Sequence, residues 1–185
     1  MILVTTPMCE KILEFARIEK FKVNKNPDKE KGDLAILLSE SKVNMKSLPI
    51  KLNTFKQIKE SIIKVSEYSH KEIINEKDLK EIFSNYPIAI KWLYQNEETT
   101  ALKEKNSKIN LKVYTKFLKD IAEDMNFNIT KENYDYLVFP DYLKDKINEK
   151  DDLKLIEIPT HKNTSKDPIK RAEIRYEILE SITHK

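Results

Sequence analysis

Cys9 is the side chain best suited to chemistry in this sequence, because it stands where a short apolar strand gives way to a helix. Met1-Ile2-Leu3-Val4-Thr5 reads as the strand, Thr6-Pro7-Met8 as the turn, and Cys9-Glu10-Lys11-Ile12-Leu13 as the start of the helix. Thr6 is the predicted N-cap and Pro7 the first helical residue. That puts Cys9 in the first turn, where unpaired backbone N–H groups and the helix dipole favour an anion. A thiol held there ionises below its free pKa of about 8.5. Such a thiolate attacks an activated carbonyl and stores the acyl group as a thioester, with N–H groups of the same turn holding the oxyanion. The alternative reading is packing: Cys9 shares a helical face with Ile12, Leu13 and Ala16, and cysteines outside disulfides are commonly buried.

His161 is the best-placed base, because it falls at the end of a predicted strand; the alternative is a loop histidine without a role. Glu10 adjoins Cys9, but neighbours on a helix point apart, so it supports the first turn instead. His70 and His184 read as surface residues. The lysines of segment 162–166 suit a phosphate only weakly, since lysine is spread over the whole chain.

The elements that must position these groups occur in two similar series. Strand Ile2–Thr5, a helix from Pro7 to Glu19, strands Lys20–Asn24, Asp33–Leu38 and Pro49–Leu52, and a helix to Tyr68 capped by Asn53 or Thr54 form the first. Asp33-Leu34-Ala35-Ile36-Leu37-Leu38 is a continuous apolar run, the pattern of a strand buried on both faces. From about Ser69 to Asn106 the pattern is helical, with segments Asp78–Phe83 and Pro87–Tyr94; Trp92 and Tyr94 anchor the second. Strand Ile109–Val113, helix Thr115–Met125, strands Phe127–Ile129, Asp135–Phe139 and Leu153–Ile158, and helix Pro168–Ile182 form the second series. The expected fold is therefore α/β, with two similar βαβββα lobes around a cleft, residues 1–68 and 107–185, joined by a helical connector of residues 69–106. A single sheet with helices on both faces is the alternative. Alternating strands and helices argue for parallel sheets.

In open α/β sheets, ligands bind beyond the carboxyl ends of the strands. Thr5, Thr6, Pro7, Met8, Ser39, Glu40 and Asn53 occupy those ends in the first series. Thr115, Pro140, Thr160 and His161 occupy them in the second, where Asp141 and Tyr142 also fall. These segments are rich in hydroxyls, an amide and carboxylates, a mixture suited to a polar heterocycle or nucleotide.

Composition excludes several classes. The chain has 185 residues, 35% of them charged, yet a formal net charge of only +3 with acids and bases interleaved. A concentrated basic stripe is absent, so nucleic acid is not an expected partner. Gly32 is the sole glycine, which excludes Walker A and GxGxxG phosphate loops. One cysteine and three dispersed histidines make a Cys/His zinc site unexpected, and no spacing suggests another metal site. The single cysteine fits a reducing cytoplasm. The N-terminus does not read as a signal peptide, and no apolar run approaches the length of a membrane span.

The Thr5-Thr6-Pro7-Met8-Cys9-Glu10 turn, the chain length and the Lys/Ile/Asn-rich composition resemble the HcgF family of methanogen proteins, which take part in building the iron-guanylylpyridinol cofactor of [Fe]-hydrogenase. The resemblance implies a transferase-like protein with Cys9 as its nucleophile. It implies guanylylpyridinol, or its adenylylated form, as the substrate, with no tightly bound cofactor. The adenylylated carboxyl group would be displaced by the thiolate with release of AMP, and the adenylylating enzyme would be a partner. The alternative is an α/β protein that binds a small-molecule or nucleotide-like ligand without covalent chemistry. A scaffold that only docks a partner protein is a third reading.

Overall fold

The computed structural model describes residues 1–147, 154–160 and 162–184. Among them the chain forms two four-stranded parallel sheets. It divides into two compact units, residues 1–87 with 166–170 and residues 88–165 with 171–185.

The first unit contains β1 (Leu3–Thr5), α1 (Glu10–Phe15), β2 (Phe21–Val23), β3 (Leu34–Leu38), β4 (Ser47–Ile50), α2 (Phe55–Ser66) and α3 (Glu76–Phe83). Its strands lie in the order β2-β1-β3-β4. The central strands β1 and β3 are buried on both faces, which explains their continuous apolar sequence. Edge strand β4 instead alternates exposed and buried residues and tolerates Pro49. Its pairing with β3 runs from Ala35 opposite Ser47 to Leu38 opposite Ile50, so the strand lies two residues earlier than the sequence suggested. Helix α2 turns Phe55, Ile58, Ile62 and Val65 inward and packs on α1. Thr54 caps it, accepting the Gln57 N–H at 3.2 Å.

Helix α1 is shorter than expected at both ends, and Cys9 is its N-cap rather than a first-turn residue. The Thr6 carbonyl accepts both the Cys9 and the Glu10 N–H groups, at 3.0 and 3.1 Å, so residues 6–9 close a separate turn before the helix begins. At the other end Arg17 adopts φ 60°, and the Ile18 N–H donates back to Leu13 O at 2.9 Å. This is a left-handed helix stop without a glycine.

The second unit contains α5 (Glu97–Asn106), β5 (Asn110–Val113), α6 (Lys116–Asp124), β6 (Asn128–Ile129), β7 (Tyr136–Pro140) and β8 (Lys154–Ile158), with α4 (Pro87–Leu93) and α7 (Pro168–Thr183) contributing nearly their whole length. The strand order is β6-β5-β7-β8, the same plan as in the first unit. Helix α6 ends as α1 does: Asn126 has φ 67°, and the Phe127 N–H reaches Ala122 O at 2.9 Å. Helix α5 starts at a capping box on Asn96, a boundary not seen within the helical middle of the sequence. Trp92 anchors α4 as expected. It is buried edge-on against Tyr176, with ring centroids 5.5 Å apart, and its indole N–H donates to Glu180.

An aspartate fixes the start of each central strand pair. Asp33 donates its N–H to Ile2 O at 2.8 Å and accepts the Ile2 N–H on its carboxylate at 2.6 Å. Asp135 does the same with Asn110, at 2.9 and 2.8 Å. Gly32 lies beside the first of these locks, where a Cβ would come within 2.2 Å of Val4 Cγ2. Val4 is fully buried, so its side chain has no solvent to move into. Gly32→Ala should therefore destabilise the protein by about 1–3 kcal/mol, the usual cost of overpacking. Urea unfolding of the two proteins measures it.

Candidate functional site

In the first unit the carboxyl ends of β1, β2 and β3 surround a cavity of about 290 Å³. Thr6 lines it after β1, Lys25 and Asn26 after β2, and Leu37, Ser41, Lys42 and Val43 at the end of β3. Its rim is tied together by Asp28, whose carboxylate accepts the Asn44 backbone N–H at 2.9 Å and its side-chain amide at 3.3 Å. Two lysines, three hydroxyl or amide groups and a small apolar floor suit a compact polar ligand.

The other predicted residues of this unit have structural duties. Thr5 is buried, and its hydroxyl donates to Ile36 O at 2.8 Å, stapling β1 to β3. Pro7 and Met8 are half-buried in the turn. The Ser39 N–H donates to Ile50 O at 2.9 Å, and its hydroxyl to the exposed Glu40 at 3.1 Å. The Asn53 N–H donates to Gln57 at 3.1 Å, at the start of α2. Cys9 is 0% exposed. The expected oxyanion pocket is likewise not formed, because the Thr6 carbonyl occupies the Cys9 and Glu10 N–H groups.

In the second unit the carboxyl ends of β7 and β8 meet at Asp141, directly after the buried Pro140. Its carboxylate accepts the Thr160 hydroxyl, the Thr160 N–H at 3.1 Å, the Asn163 amide at 2.6 Å and the Tyr142 N–H at 2.9 Å. Burial opposes its ionisation, but the hydrogen bonds from Thr160 and Asn163 prevail and hold the carboxyl below its ordinary range. Thr160 is thus brought to Pro140 and Asp141 as a structural partner. Thr115 is the N-cap of α6, yet its side chain makes no capping bond, and its hydroxyl oxygen is buried without a partner among the described residues. His161, the predicted base, lies outside the described residues.

Sequence reasoning missed Arg175, which is 6% exposed on α7. Its Nε donates to Pro159 O at 3.2 Å, and its guanidinium carbon lies 4.8 Å from the centroid of the Phe117 ring. Burial pulls its pKa down to about 10, repulsion from Arg171 adds to this, and Asp141 opposes it. The available signal was a pair of arginines one turn apart on a face that also carries Ala172, Tyr176 and Leu179.

No family model matches this chain, and no curated protein matches it in sequence. Solved structures match its fold. A metal-dependent lipoprotein, YcdH from Bacillus subtilis, is 11% identical with a TM-score of 0.52, covering 100% of this chain and 98% of that one. A periplasmic metal binding protein from Candidatus Liberibacter asiaticus is 8% identical with a TM-score of 0.51, covering 98% and 99%. The laminin-binding adhesin Lmb of Streptococcus agalactiae, in mutant form, is 8% identical with a TM-score of 0.51, covering 97% and 98%. At such identities the likeness shows a fold.

These neighbours correct the family resemblance drawn from the first turn: the fold is shared with a metal-dependent lipoprotein, a periplasmic metal binding protein and a laminin-binding adhesin, not with HcgF proteins. Acyl transfer within guanylylpyridinol cofactor assembly falls with it, as do guanylylpyridinol as substrate and the adenylylating enzyme as partner. The buried Cys9 and its closed turn agree with that correction. The neighbours' metals find no ready donor set here: among the described residues no group of three or more His, Cys, Asp or Glu side chains is placed to hold a metal ion. Among the same residues no helix is long and apolar enough to cross a membrane.

Two outcomes are expected. Cys9 in the native protein should react with an aromatic disulfide reagent only as fast as the fold opens, so labelling should accelerate many-fold in denaturant; rapid native labelling would contradict the burial. Asp141 should stabilise the fold fully above its ordinary pKa of 3.8, and lose that contribution as pH falls through its lower folded value. Asp141→Asn should therefore flatten the acid limb of a Tm-against-pH profile.

Proposed function

We propose that this protein binds a small polar ligand without covalent chemistry. The cavity at the carboxyl ends of β1, β2 and β3 carries the reading, because that is where open parallel sheets take ligands. The likeness to solved binding proteins supports it at the level of fold. Lys25 and Lys42 give the cavity a positive rim, while Thr6, Asn26 and Ser41 offer hydrogen bonds. A compact ligand with at least one negative group fits that lining. The shared strand order, the paired aspartate locks and the matching stops of α1 and α6 support the two units as copies of one βαβββα plan.

The test is a thermal-shift screen of the intact chain against nucleotides, sugar phosphates, organic acids, amino acids and divalent metal ions, with calorimetry on any hit. A true ligand at a hundred times its Kd should stabilise the fold by about 2.7 kcal/mol. Lys25→Ala and Lys42→Ala should each weaken that ligand on the order of tenfold, about the worth of one charge-assisted hydrogen bond. Failure of every ligand class would leave a partner-docking scaffold as the better reading. A hit unaffected by both substitutions would move the site elsewhere.

A further inference from the structure

We propose that the first unit carries a second ligand site, at the amino ends of its strands, which takes a small organic acid with an apolar or aromatic body. It is separate from the cavity at the carboxyl ends and asks for a different ligand.

The site is a cavity of about 260 Å³. Leu3, the first residue of β1, lines it together with the stretch from Arg17 to Lys20 that follows α1 and the stretch from Tyr68 to Lys71 that follows α2. Its buried lining is apolar: Leu3 and Ile18 are removed from solvent, and Tyr68 is half-buried. Its exposed lining is charged or polar, with Glu19, Lys20, His70 and Lys71. An apolar wall with a few polar groups to one side is the usual make-up of a small-molecule pocket.

The charges around it leave a cation over. Arg17 is held by Asp78 and Lys71 by Glu19, each at 2.6 Å. Glu19 is the one carboxylate in the lining, so its pairing with Lys71 uses the negative charge of the cavity. Lys71 is the chief reason that the Glu19 carboxyl stays below its ordinary range, and Lys20 and His70 add to the pull, which places both of them near the same group. Neither Lys20 nor His70 donates a hydrogen bond to a described residue. Carbonyls at helix ends would repel an anion, but here they are in use. Those of Ile12, Leu13 and Glu14 accept the N–H groups of Ala16, Ile18 and Arg17, and those of Val65 and Ser66 accept Tyr68 and Ser69. The Arg17 carbonyl accepts the Ser69 hydroxyl at 3.1 Å.

The second unit shows that the shared plan does not require such an opening. Its helix stop at Asn126 matches the one at Arg17, and α5 closes over it. The Asn126 amide donates to Lys103 O at 3.0 Å, and the buried Asn106 amide to Met125 O at 2.8 Å. At the matching stop of the first unit the cavity takes that place, with Lys20 beside it. A ring or short branched chain laid against Leu3, Ile18 and Tyr68 supplies affinity through apolar burial, and a carboxylate turned to Lys20 sets its orientation.

Phenylacetate is the probe, titrated into the isotope-labelled intact chain and followed by amide NMR. Acetate, which has the charge without the body, and benzyl alcohol, which has the body without the charge, are run at matched ionic strength. Phenylacetate should shift the amides of residues 17–20 and 68–71 saturably, and each control should bind at least about tenfold more weakly. Lys20→Ala should weaken phenylacetate about tenfold, and Lys20→Arg should restore most of it. Lys20 is exposed, and the same spectra report that each variant is folded. Absence of a saturable shift overturns the site. So does an equal response to acetate, which reduces it to surface charge, or a response unchanged in Lys20→Ala. Shifts centred on Lys25, Asn26 and Ser41 overturn it too, while leaving the carboxyl-end reading standing. The two cavities are read through different residues, so either proposal can fail alone.

Discussion

Parallel pairing is the constraint from which the other features follow. Adjacent parallel strands cannot be joined by a tight turn, so nothing local in the chain sets their register. In both units an aspartate ahead of the third strand supplies it. Asp33 clasps Ile2, and Asp135 clasps Asn110, each through one backbone and one carboxylate hydrogen bond. With β1 set against β3 and β5 against β7, the apolar side chains of β1 and β7, those of Leu34–Leu37 in β3 and Leu111 in β5 are buried. The same registers fix which loops emerge together at the carboxyl ends, and so which polar groups can meet a ligand.

At those ends the deciding question is which polar groups are already satisfied. The turn before α1 is closed, because the Thr6 carbonyl takes two N–H groups and Cys9 packs inside. That arrangement serves folding and leaves little for an incoming carbonyl to find. Asp141 is likewise saturated by Thr160, Asn163 and Tyr142 and works as a hub for the loops after β7 and β8. The Thr115 hydroxyl is different, its oxygen being buried without a hydrogen-bond partner among the described residues. Binding capacity is expected where satisfaction fails, since an incoming group gains what the fold leaves unmade.

Much of the fold was legible because parallel sheets write themselves into sequence. The runs Leu34–Leu38 and Tyr136–Pro140 are apolar without alternation, as burial on both faces requires. Asp33 and Asp135 each stand directly ahead of such a run, a feature visible in the sequence before any strand order was known. Boundaries were less legible. Helix α1 begins at Glu10 and stops at Arg17 for reasons of backbone hydrogen bonding, and an arginine with φ 60° carries none of the glycine signal that usually marks such a stop.

The candidate site was legible only as an address. Sequence alone determined that Thr6, Thr115, Pro140 and Thr160 fall at strand carboxyl ends, because strand pattern and chain order suffice for that. It left the two readings of Cys9, nucleophile or core, in balance, since a strand-to-helix turn fits both. Tertiary structure decided between burial and exposure there, through contacts with Thr6 and the surrounding core. It also drew Arg175 from the far end of the chain to Phe117 and Pro159. Local pattern cannot report such a meeting: the worth of a buried charge depends on which distant groups reach it and which are already taken, and packing alone sets that.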